Sequence, residues 1–205
     1  MKKRLPSVVV LSALLVALFA SAALAVNVIN CTGSSTCEGT PNADEIFGTD
    51  RPETILADSG SDAVSALDGP DDVVASTGND EADGGLGRDR VSGGSGDDQQ
   101  DASAAMLGTG LLGNGGSDRV SGGPGADDVT GGGARDRMYG NDDNDILDSV
   151  DGLRDYVVDC GPGRDIAFVD RPDIRGKIIS DCEEVRRMSA ATTAAQYRAA
   201  DAELR

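Results

Sequence analysis

A nine-residue repeat is the feature that most limits what this chain can fold into. Between Gly84 and Asp148 its units read GGLGRDRVS, GGSGDDQQD, GNGGSDRVS, GGPGADDVT, GGGARDRMY and GNDDNDILD. Each unit begins with Gly, has Asp at its sixth position and usually has an apolar residue at its eighth. A unit of this length cannot bury its own apolar face, so neighbouring units must stack on one another. The repeat therefore predicts a solenoid.

The frame extends beyond this stretch in both directions. Seven units follow one another from Gly39 without an insertion, then residues 102–112 supply eleven residues and no acid. The frame resumes at Gly113 and slips twice by one residue towards its end. The thirteen sixth-position residues are Asp44, Glu53, Asp62, Asp71, Asp80, Asp89, Asp98, Asp118, Asp127, Asp136, Asp145, Asp155 and Asp165.

The eighth position of each unit predicts the core. The first six residues of a unit suit a turn, where Gly supplies positive φ, and the last three suit a short strand. The middle residue of that strand points inward, and Gln100 is the one polar residue in this column. The predicted inward residues are Ile46, Ile55, Val64, Val73, Val91, Val120, Val129, Met138 and Leu147.

The units match the pattern G-G-x-G-x-D-x-U-x and so resemble the hemolysin-type (RTX) calcium-binding nonapeptide repeat. The resemblance implies an all-β fold, a right-handed parallel β-roll or β-helix solenoid with two units per coil. It also implies that each Ca²⁺ sits between the turns of units n and n+2. Its ligands would be the sixth-position Asp of each turn and carbonyls of the glycine-rich part.

Turns eighteen residues apart then stack on the same edge of the solenoid. One edge carries Asp44, Asp62, Asp80 and Asp98, and the other carries Glu53, Asp71 and Asp89. If residues 102–112 count as one unit, Asp118 and Asp136 continue the first edge, and Asp127 and Asp145 the second. Stacked carboxylates repel one another, and Ca²⁺ suits the gap because it takes about 6–8 oxygen ligands.

The candidate calcium ligands follow from these stacks. For a single isolated Asp, the plain preference of Asp for turns is an alternative explanation. The main candidates are Asp71, Asp80, Asp89, Asp98, Asp118, Asp127, Asp136 and Asp145. Four further candidates, whose turns or neighbours depart from the pattern, are Asp44, Asp62, Asp155 and Asp165.

Two departures from the repeat need their own interpretation. Residues 102–112 include Met106, Leu107, Leu111 and Leu112, and they are either a degenerate coil with a two-residue bulge or an exposed apolar contact patch. Arginines adjoin several sixth-position acids, as in Arg88-Asp89-Arg90. We expect these arginines to face solvent, to neutralise the edge in part and to lower its demand for calcium.

The two ends of the chain predict export and capping. Residues 1–25 have a basic start, an apolar run and an A-x-A site, which is typical of a cleaved signal peptide; a retained membrane anchor is the alternative. Residues 26–38 and 169–188 are expected to cap the roll of residues 39–168. Residues 189–205 form an Ala-rich tail, a short helix or a frayed end.

Four cysteines in an exported chain predict disulfides. Cys31–Cys37 and Cys160–Cys182 is the sequence-local pairing, and each pair flanks one end of the array. Two other connectivities and a site of four metal-bound thiolates are alternatives. The thiolate site is disfavoured because the spacing lacks a C-x2-C pair.

Composition limits the function. A net charge of −18 argues against binding nucleic acid or an anionic membrane, and the absence of His excludes Ser-His-Asp catalysis and His-ligated zinc. We expect a secreted, non-enzymatic calcium-binding β-roll whose folding is coupled to the ion, without membrane association after cleavage. The alternatives are a structural or adhesive solenoid with little calcium, contacting a cell-wall or extracellular protein partner, and a glycosidase that uses two carboxylates.

Overall fold

The computed structural model describes residues 26–32, 35–98, 110–176 and 178–188. The predicted signal peptide, residues 1–25, and the predicted tail, residues 189–205, lie outside the described residues. Residues 99–109 lie outside them too, and so do Met106 and Leu107 of the proposed apolar patch.

Two parallel β-sheets form the walls of one solenoid, and successive strands alternate between them. The nine-stranded sheet contains β1 (Asn27–Asn30), β3 (Asp44–Phe47), β5 (Ala63–Ser65), β7 (Glu81–Asp83), β9 (Leu111–Leu112), β11 (Asp128–Thr130), β13 (Ile146–Asp148), β15 (Ile166–Val169) and β17 (Glu184–Arg187). The eight-stranded sheet contains β2 (Thr36–Thr40), β4 (Thr54–Asp58), β6 (Asp72–Thr77), β8 (Arg90–Ser95), β10 (Arg119–Pro124), β12 (Arg137–Asp142), β14 (Val157–Asp159) and β16 (Ile179–Ser180).

Each coil therefore consists of two nonapeptide units, one strand in each sheet, and the solenoid has about eight turns. Among the described residues, the one helix is α1 (Arg171–Gly176), and none is long and apolar enough to cross a membrane. The predicted all-β parallel β-roll is confirmed. The expected C-terminal cap, residues 169–188, contains α1, β16 as an end strand of the eight-stranded sheet and β17 as an end strand of the nine-stranded sheet.

The core is the narrow space between the two sheets, and it is filled by the eighth-position residues. All nine predicted inward residues are buried, with 0–5% of their surface exposed. They align across strands, as in Ile55↔Val73↔Val91 within the eight-stranded sheet. Because each coil contributes only two such side chains, the apolar stabilisation per coil is modest, and the regular backbone pairing carries much of the fold.

The turns bring neighbouring coils so close that most side chains would not fit at their fourth position. Gly78 has a φ of 140°, and a Cβ added to it would lie 1.4 Å from the carbonyl oxygen of Gly60 in the preceding coil. The second turn position also has positive φ, and it tolerates other residues, such as Leu67 with a φ of 77°. Glycine is therefore needed for coil-to-coil contact rather than for backbone conformation alone.

The irregular stretch does not form a unit of its own, which corrects the assumption made for residues 102–112. Leu111 pairs with Ala82 on one side and with Val129 on the other, so it occupies the inward eighth position of the unit that begins at Gly93. Asp98 is the sixth residue of that unit and Gly110 is the seventh. The unit reads GGSGDD-GLL, with residues 99–109 inserted in its middle. The inward position assigned to Gln100 therefore belongs to Leu111, which is fully buried.

Disulfides lie at both ends of the solenoid. Cys31 and Cys37 join the segment after β1 to β2, with their Cα atoms 5.5 Å apart. Cys160 and Cys182 join the end of β14 to the segment before β17, with their Cα atoms 5.1 Å apart. This is the sequence-local pairing. The first bond ties the end strand β2 to the segment after β1, and the second ties the segment after β14 to the segment between β16 and β17.

Removing residues 99–109 should leave the fold intact, because it restores the uninterrupted nonapeptide GGSGDDGLL. We expect the melting temperature of this variant to lie within about 3 °C of the parent, since shortening a surface loop changes stability little. The matched control removes residues 99–110, one residue more, and shifts Leu111 out of the inward position.

The control should lose several degrees or its cooperative transition, as measured by circular dichroism during heating. Equal damage from the two deletions would contradict the assigned register.

Candidate metal centre

All thirteen sixth-position acids are buried within the solenoid, although they flank the turns. None of them is more than 6% exposed, and Asp98, Asp136, Asp145 and Asp165 are fully buried. The sequence predicted stacked carboxylates at the edges of the roll. The structure places them there and also withdraws them from solvent, so each carboxylate oxygen needs a partner inside the protein.

Hydrogen bonds organise these acids into two continuous ladders. In each ladder the backbone N–H of one acid donates to the Oδ1 atom of the corresponding acid one coil later, over 2.7–2.9 Å. We call Asp44, Asp62, Asp80, Asp98, Asp127, Asp145 and Asp165 ladder one. We call Glu53, Asp71, Asp89, Asp118, Asp136 and Asp155 ladder two.

The ladders correct the edge assignment made from the sequence. The amide of Asp89 donates to Asp118, and the amide of Asp98 donates to Asp127, in both cases across 29 residues instead of 18. Asp118 and Asp136 therefore continue ladder two, and Asp127 and Asp145 continue ladder one. The eight main candidates lie in unbroken rows, so the insertion of residues 99–109 does not divide the sites into two groups.

Acids that the sequence analysis missed close both ladders at the C-terminal end. The amide of Asp155 donates to Oδ1 of Asp173 in helix α1 over 2.9 Å. The amide of Asp165 donates to Oε2 of Glu183, also over 2.9 Å. Both acceptors lie eighteen residues after their donors, which is the coil period. A search for acids at that spacing would have found them, although the glycine pattern is lost there.

The second carboxylate oxygen of most ladder members has no hydrogen-bond partner. Within the described residues, Oδ2 is buried and unpaired in ten members: Asp62, Asp71, Asp80, Asp89, Asp98, Asp118, Asp127, Asp136, Asp145 and Asp165. The first member of each ladder differs, because Thr40 and Thr49 donate their backbone N–H groups to the second oxygen of Asp44 and Glu53. A buried oxygen without a partner costs about 1–3 kcal/mol. A ligand or protons that satisfied these two rows of oxygens would therefore stabilise the fold substantially.

The leading glycine of the unit leaves the room that Oδ2 occupies. A Cβ added to Gly93 would lie 1.9 Å from Oδ2 of Asp98. A Cβ added to Gly122 would lie 2.3 Å from Oδ2 of Asp127. A side chain at the first position of these units would collide with the carboxylate at the sixth, which explains why Gly precedes Asp by five residues there.

The donor set is made of oxygen alone, which suits a hard cation. In the described part of the chain, no three His, Cys, Asp or Glu side chains converge on one point. A cation beside one ladder could therefore draw on the Oδ2 atoms of neighbouring acids and would need further oxygens from the backbone. The turn carbonyls accept hydrogen bonds from the next or preceding coil, as in Gly87 N–H to Gly115 O over 2.6 Å, and each retains a second lone pair. These donors fit calcium and not zinc or copper.

Burial makes the ladder carboxylates hard to ionise. Desolvation raises the pKa of Asp145 to about 9 and the pKa values of Asp127 and Asp155 to about 8, against the pull of the backbone hydrogen bonds that each accepts. Neighbouring carboxylates raise these pKa values further. The pKa values of Asp80 and Asp118 are raised to about 7 for the same reasons. A bound cation or a proton can supply the missing positive charge.

Comparison with known families agrees with this arrangement. The profile of the RTX calcium-binding nonapeptide repeat, in four copies, matches residues 65–100 and 112–147. These ranges contain all eight main candidate acids, and the gap between them, residues 101–111, overlaps the inserted stretch. Searches of curated proteins and of solved structures found no match to this chain. Residues 65–100 and 112–147 are RTX-type nonapeptide repeats, and these repeats belong to a calcium-binding class.

The raised pKa values predict that, without calcium, the protein is more stable in mild acid than in base. The folded ladders bind protons that the unfolded chain, with an ordinary Asp pKa of 3.8, has released. This stabilisation is complete below about pH 4 and is lost as the pH rises through about 6 to about 9.

The melting temperature in calcium-free buffer should therefore fall steadily from about pH 5 to about pH 9. Saturating calcium is the control, and it should flatten this fall. A melting temperature that rises with pH in calcium-free buffer would contradict the buried-ladder description.

Proposed function

We propose that this protein is a secreted calcium-binding β-roll whose folding is coupled to the ion. The observation that carries the proposal is the set of ten buried Oδ2 atoms without partners, six in ladder one and four in ladder two. Calcium supplies positive charge and a coordination shell that accepts carboxylate and carbonyl oxygens together. The same ion that satisfies these oxygens would thereby remove the largest unfavourable feature of the folded chain.

The proposed ligands are the carboxylates that face one another across successive coils. The ligands proposed are Asp80, Asp98, Asp127 and Asp145 of ladder one, extended by Asp62 and Asp165, together with Asp71 of ladder two. The three remaining main candidates, Asp89, Asp118 and Asp136, differ because arginines adjoin them in the sequence. Their Oδ1 atoms hold the carboxylates in place through the backbone N–H of the preceding coil, which leaves Oδ2 for the ion. Asp44 is a weaker candidate because Thr40 already satisfies its second oxygen. Asp155 remains a weaker candidate as well.

Coupling between calcium and folding follows from charge and from the thin core. The chain has a net charge of −18 and only two inward side chains per coil. The unfolded chain has no preformed site, so the free energy of binding is added to the free energy of folding. An affinity of about 10⁻⁴–10⁻³ M would suit an extracellular module of this kind.

Secretion is supported by the two disulfides and by the sequence of residues 1–25. Disulfides persist in oxidising compartments, where millimolar calcium is also common. Calcium is the proposed partner, and a cell-wall or extracellular protein partner remains a proposal without an assigned surface. A non-enzymatic role agrees with the carboxylates, which the ladders account for.

A structural solenoid with little bound calcium is the second candidate, and one observation favours it. Every coil is tied to the next by an Oδ1 hydrogen bond and by backbone pairing that require no ion. Protonation of Oδ2 would then take the place of calcium. The two candidates differ in which treatment unfolds the strands: removal of calcium by a chelator, or reduction of the disulfides.

Far-UV circular dichroism at about pH 7.5 distinguishes them. The strand signal should increase when calcium is added and decrease when a chelator follows, because the ionised ladders repel one another without the ion. Magnesium at the same concentration is the ion control, since it requires a stricter geometry. A strand signal that does not change with calcium or chelator, but decreases when the disulfides are reduced, would support the structural solenoid instead.

A pair of charge-matched variants tests whether the ladders are the site. Asp80→Asn removes one ladder charge and keeps the Oδ1 acceptor, whereas Glu38→Gln removes one exposed charge on the outer face of β2. We expect Asp80→Asn to raise the calcium concentration at the folding midpoint by about threefold or more, and Glu38→Gln to leave it nearly unchanged. Equal effects would indicate that calcium acts by general screening.

A further inference from the structure

The corrected register gathers six of the arginines that adjoin the ladder acids beside ladder two. Arg90, Arg119 and Arg137 are direct neighbours on strands β8, β10 and β12. Three more arginines directly precede ladder-two members: Arg88, Arg135 and Arg154. Had Asp118 and Asp136 continued the first edge, these arginines would have been divided between the two edges.

Three of these cations lie against aromatic rings. The guanidinium of Arg119 lies 4.1 Å from the ring centroid of Tyr139, and those of Arg135 and Arg137 lie 4.0 and 4.4 Å from that of Tyr156. Ring contacts of this kind hold a guanidinium in place without removing its charge. Within the described part of the chain, five of the arginines form no salt bridge: Arg88, Arg90, Arg119, Arg135 and Arg137.

Four of the arginines line a cleft together with two acids of ladder two. A cleft of about 450 Å³ is lined by Arg88, Arg90, Ser117, Arg119 and Arg137, together with Asp89 and Asp118. A divalent cation that approached the open Oδ2 of Asp89 or Asp118 would meet four positive charges around this cleft. Like charges placed directly opposite on neighbouring strands repel, so the column of arginines itself needs the negative charge beneath it.

Asp72 lies directly opposite Arg90 in the pairing of β6 with β8, so it offsets one end of the arginine column. Two further acids on this side are held by hydrogen bonds. Oδ1 of Asp83 accepts a hydrogen bond from the side-chain amide of Asn114 over 2.5 Å. Asp151 accepts backbone N–H groups from Ala134 and Leu153, over 3.0 and 2.6 Å. Both carboxylates are thus engaged in fixing turns.

Ladder one has the opposite surroundings. The residues directly before and after its members in their units include Glu45, Glu81, Asp97 and Asp128, and the others are small, apolar or amide residues apart from Arg164 near the end. These acids raise the local negative potential, which attracts calcium. The two ladders thus share one hydrogen-bond geometry and differ in the charges around it.

We propose that calcium binds along ladder one and that the arginine-flanked part of ladder two, Asp89, Asp118, Asp136 and Asp155, folds without calcium. The inference deepens the proposed function and rests on it. In ladder two the arginines supply the positive charge that calcium supplies in ladder one. The coil is therefore asymmetric: one edge responds to calcium, and the arginine-flanked edge does not.

A matched pair of substitutions tests this asymmetry. Asp127 and Asp118 are each 1% exposed, and their Oδ1 atoms accept the same type of hydrogen bond over 2.9 and 2.7 Å. Asp127→Asn and Asp118→Asn keep that acceptor and remove one charge each. Calcium stoichiometry and affinity are measured by isothermal titration calorimetry on the full chain, after circular dichroism in saturating calcium has shown that each variant folds.

Asp127→Asn should lose at least one bound calcium or weaken binding by about tenfold or more, whereas Asp118→Asn should match the parent. Asp80→Asn and Asp136→Asn repeat the comparison if either variant fails to fold. Equal losses in the two ladders, or no loss in either, would overturn the asymmetry while leaving calcium binding by the parent in place. A parent that binds no calcium would overturn the proposed function itself.

The arginines are tested by the triple variant Arg90→Gln, Arg119→Gln, Arg137→Gln. Removing these charges should open ladder two, so the number of bound calcium ions per chain should rise by at least one. The control is Arg171→Gln, Arg175→Gln, Arg187→Gln, which removes three charges in the C-terminal cap, outside the arginine column of β8, β10 and β12, and should leave the stoichiometry unchanged. An unchanged stoichiometry in the first triple variant would overturn the role of the arginines.

Discussion

The hydrogen bond from the backbone N–H of one ladder acid to the Oδ1 atom of the next is the interaction on which the structure depends. It recurs from coil to coil, and it fixes both the spacing between successive coils and the position of the carboxylate. Two inward side chains per coil would stack with little preference for one register. The ladders supply that preference, because a slip of one residue would bury an unpaired amide and an unpaired acid.

Each ladder carboxylate is divided between two roles. Oδ1 belongs to the fold, and Oδ2 remains open beside the leading glycine of its unit. This division explains the spacing of the repeat, since the glycine at the first position makes room for the acid at the sixth. It also explains how one array can bind calcium along ladder one and fold without calcium along the arginine-flanked part of ladder two. Oδ1 accepts the same hydrogen bond in both ladders, and only the charges near Oδ2 differ.

Much of the architecture was predictable from the sequence, because two columns of residues keep the same period. The inward residues Ile55, Val91 and Leu147, the parallel coils and the stacked acids all follow from that period. The path through residues 99–109 was not predictable. An eleven-residue unit with a bulge and an eleven-residue insertion within a unit have equal length, and only the pairing of Leu111 with Ala82 and Val129 separates them.

The error in register had consequences for the site. It exchanged the partners of Asp118 and Asp127, and it concealed that the arginines share one edge. The sequence also did not reveal that the acids are buried or that Oδ1 is bonded to the backbone, since turn residues are usually solvated. Asp173 and Glu183 were missed because the glycine pattern ends before them, although the period continues.

The most direct test of this account is a crystal structure of the protein grown in calcium, with the ions located by their anomalous scattering. We predict calcium beside the Oδ2 atoms of ladder one, with each Oδ1 still accepting the amide of the preceding coil. Ions bound only to exposed acids such as Asp142 and Asp143, or carboxylates turned away from the backbone amides, would contradict it.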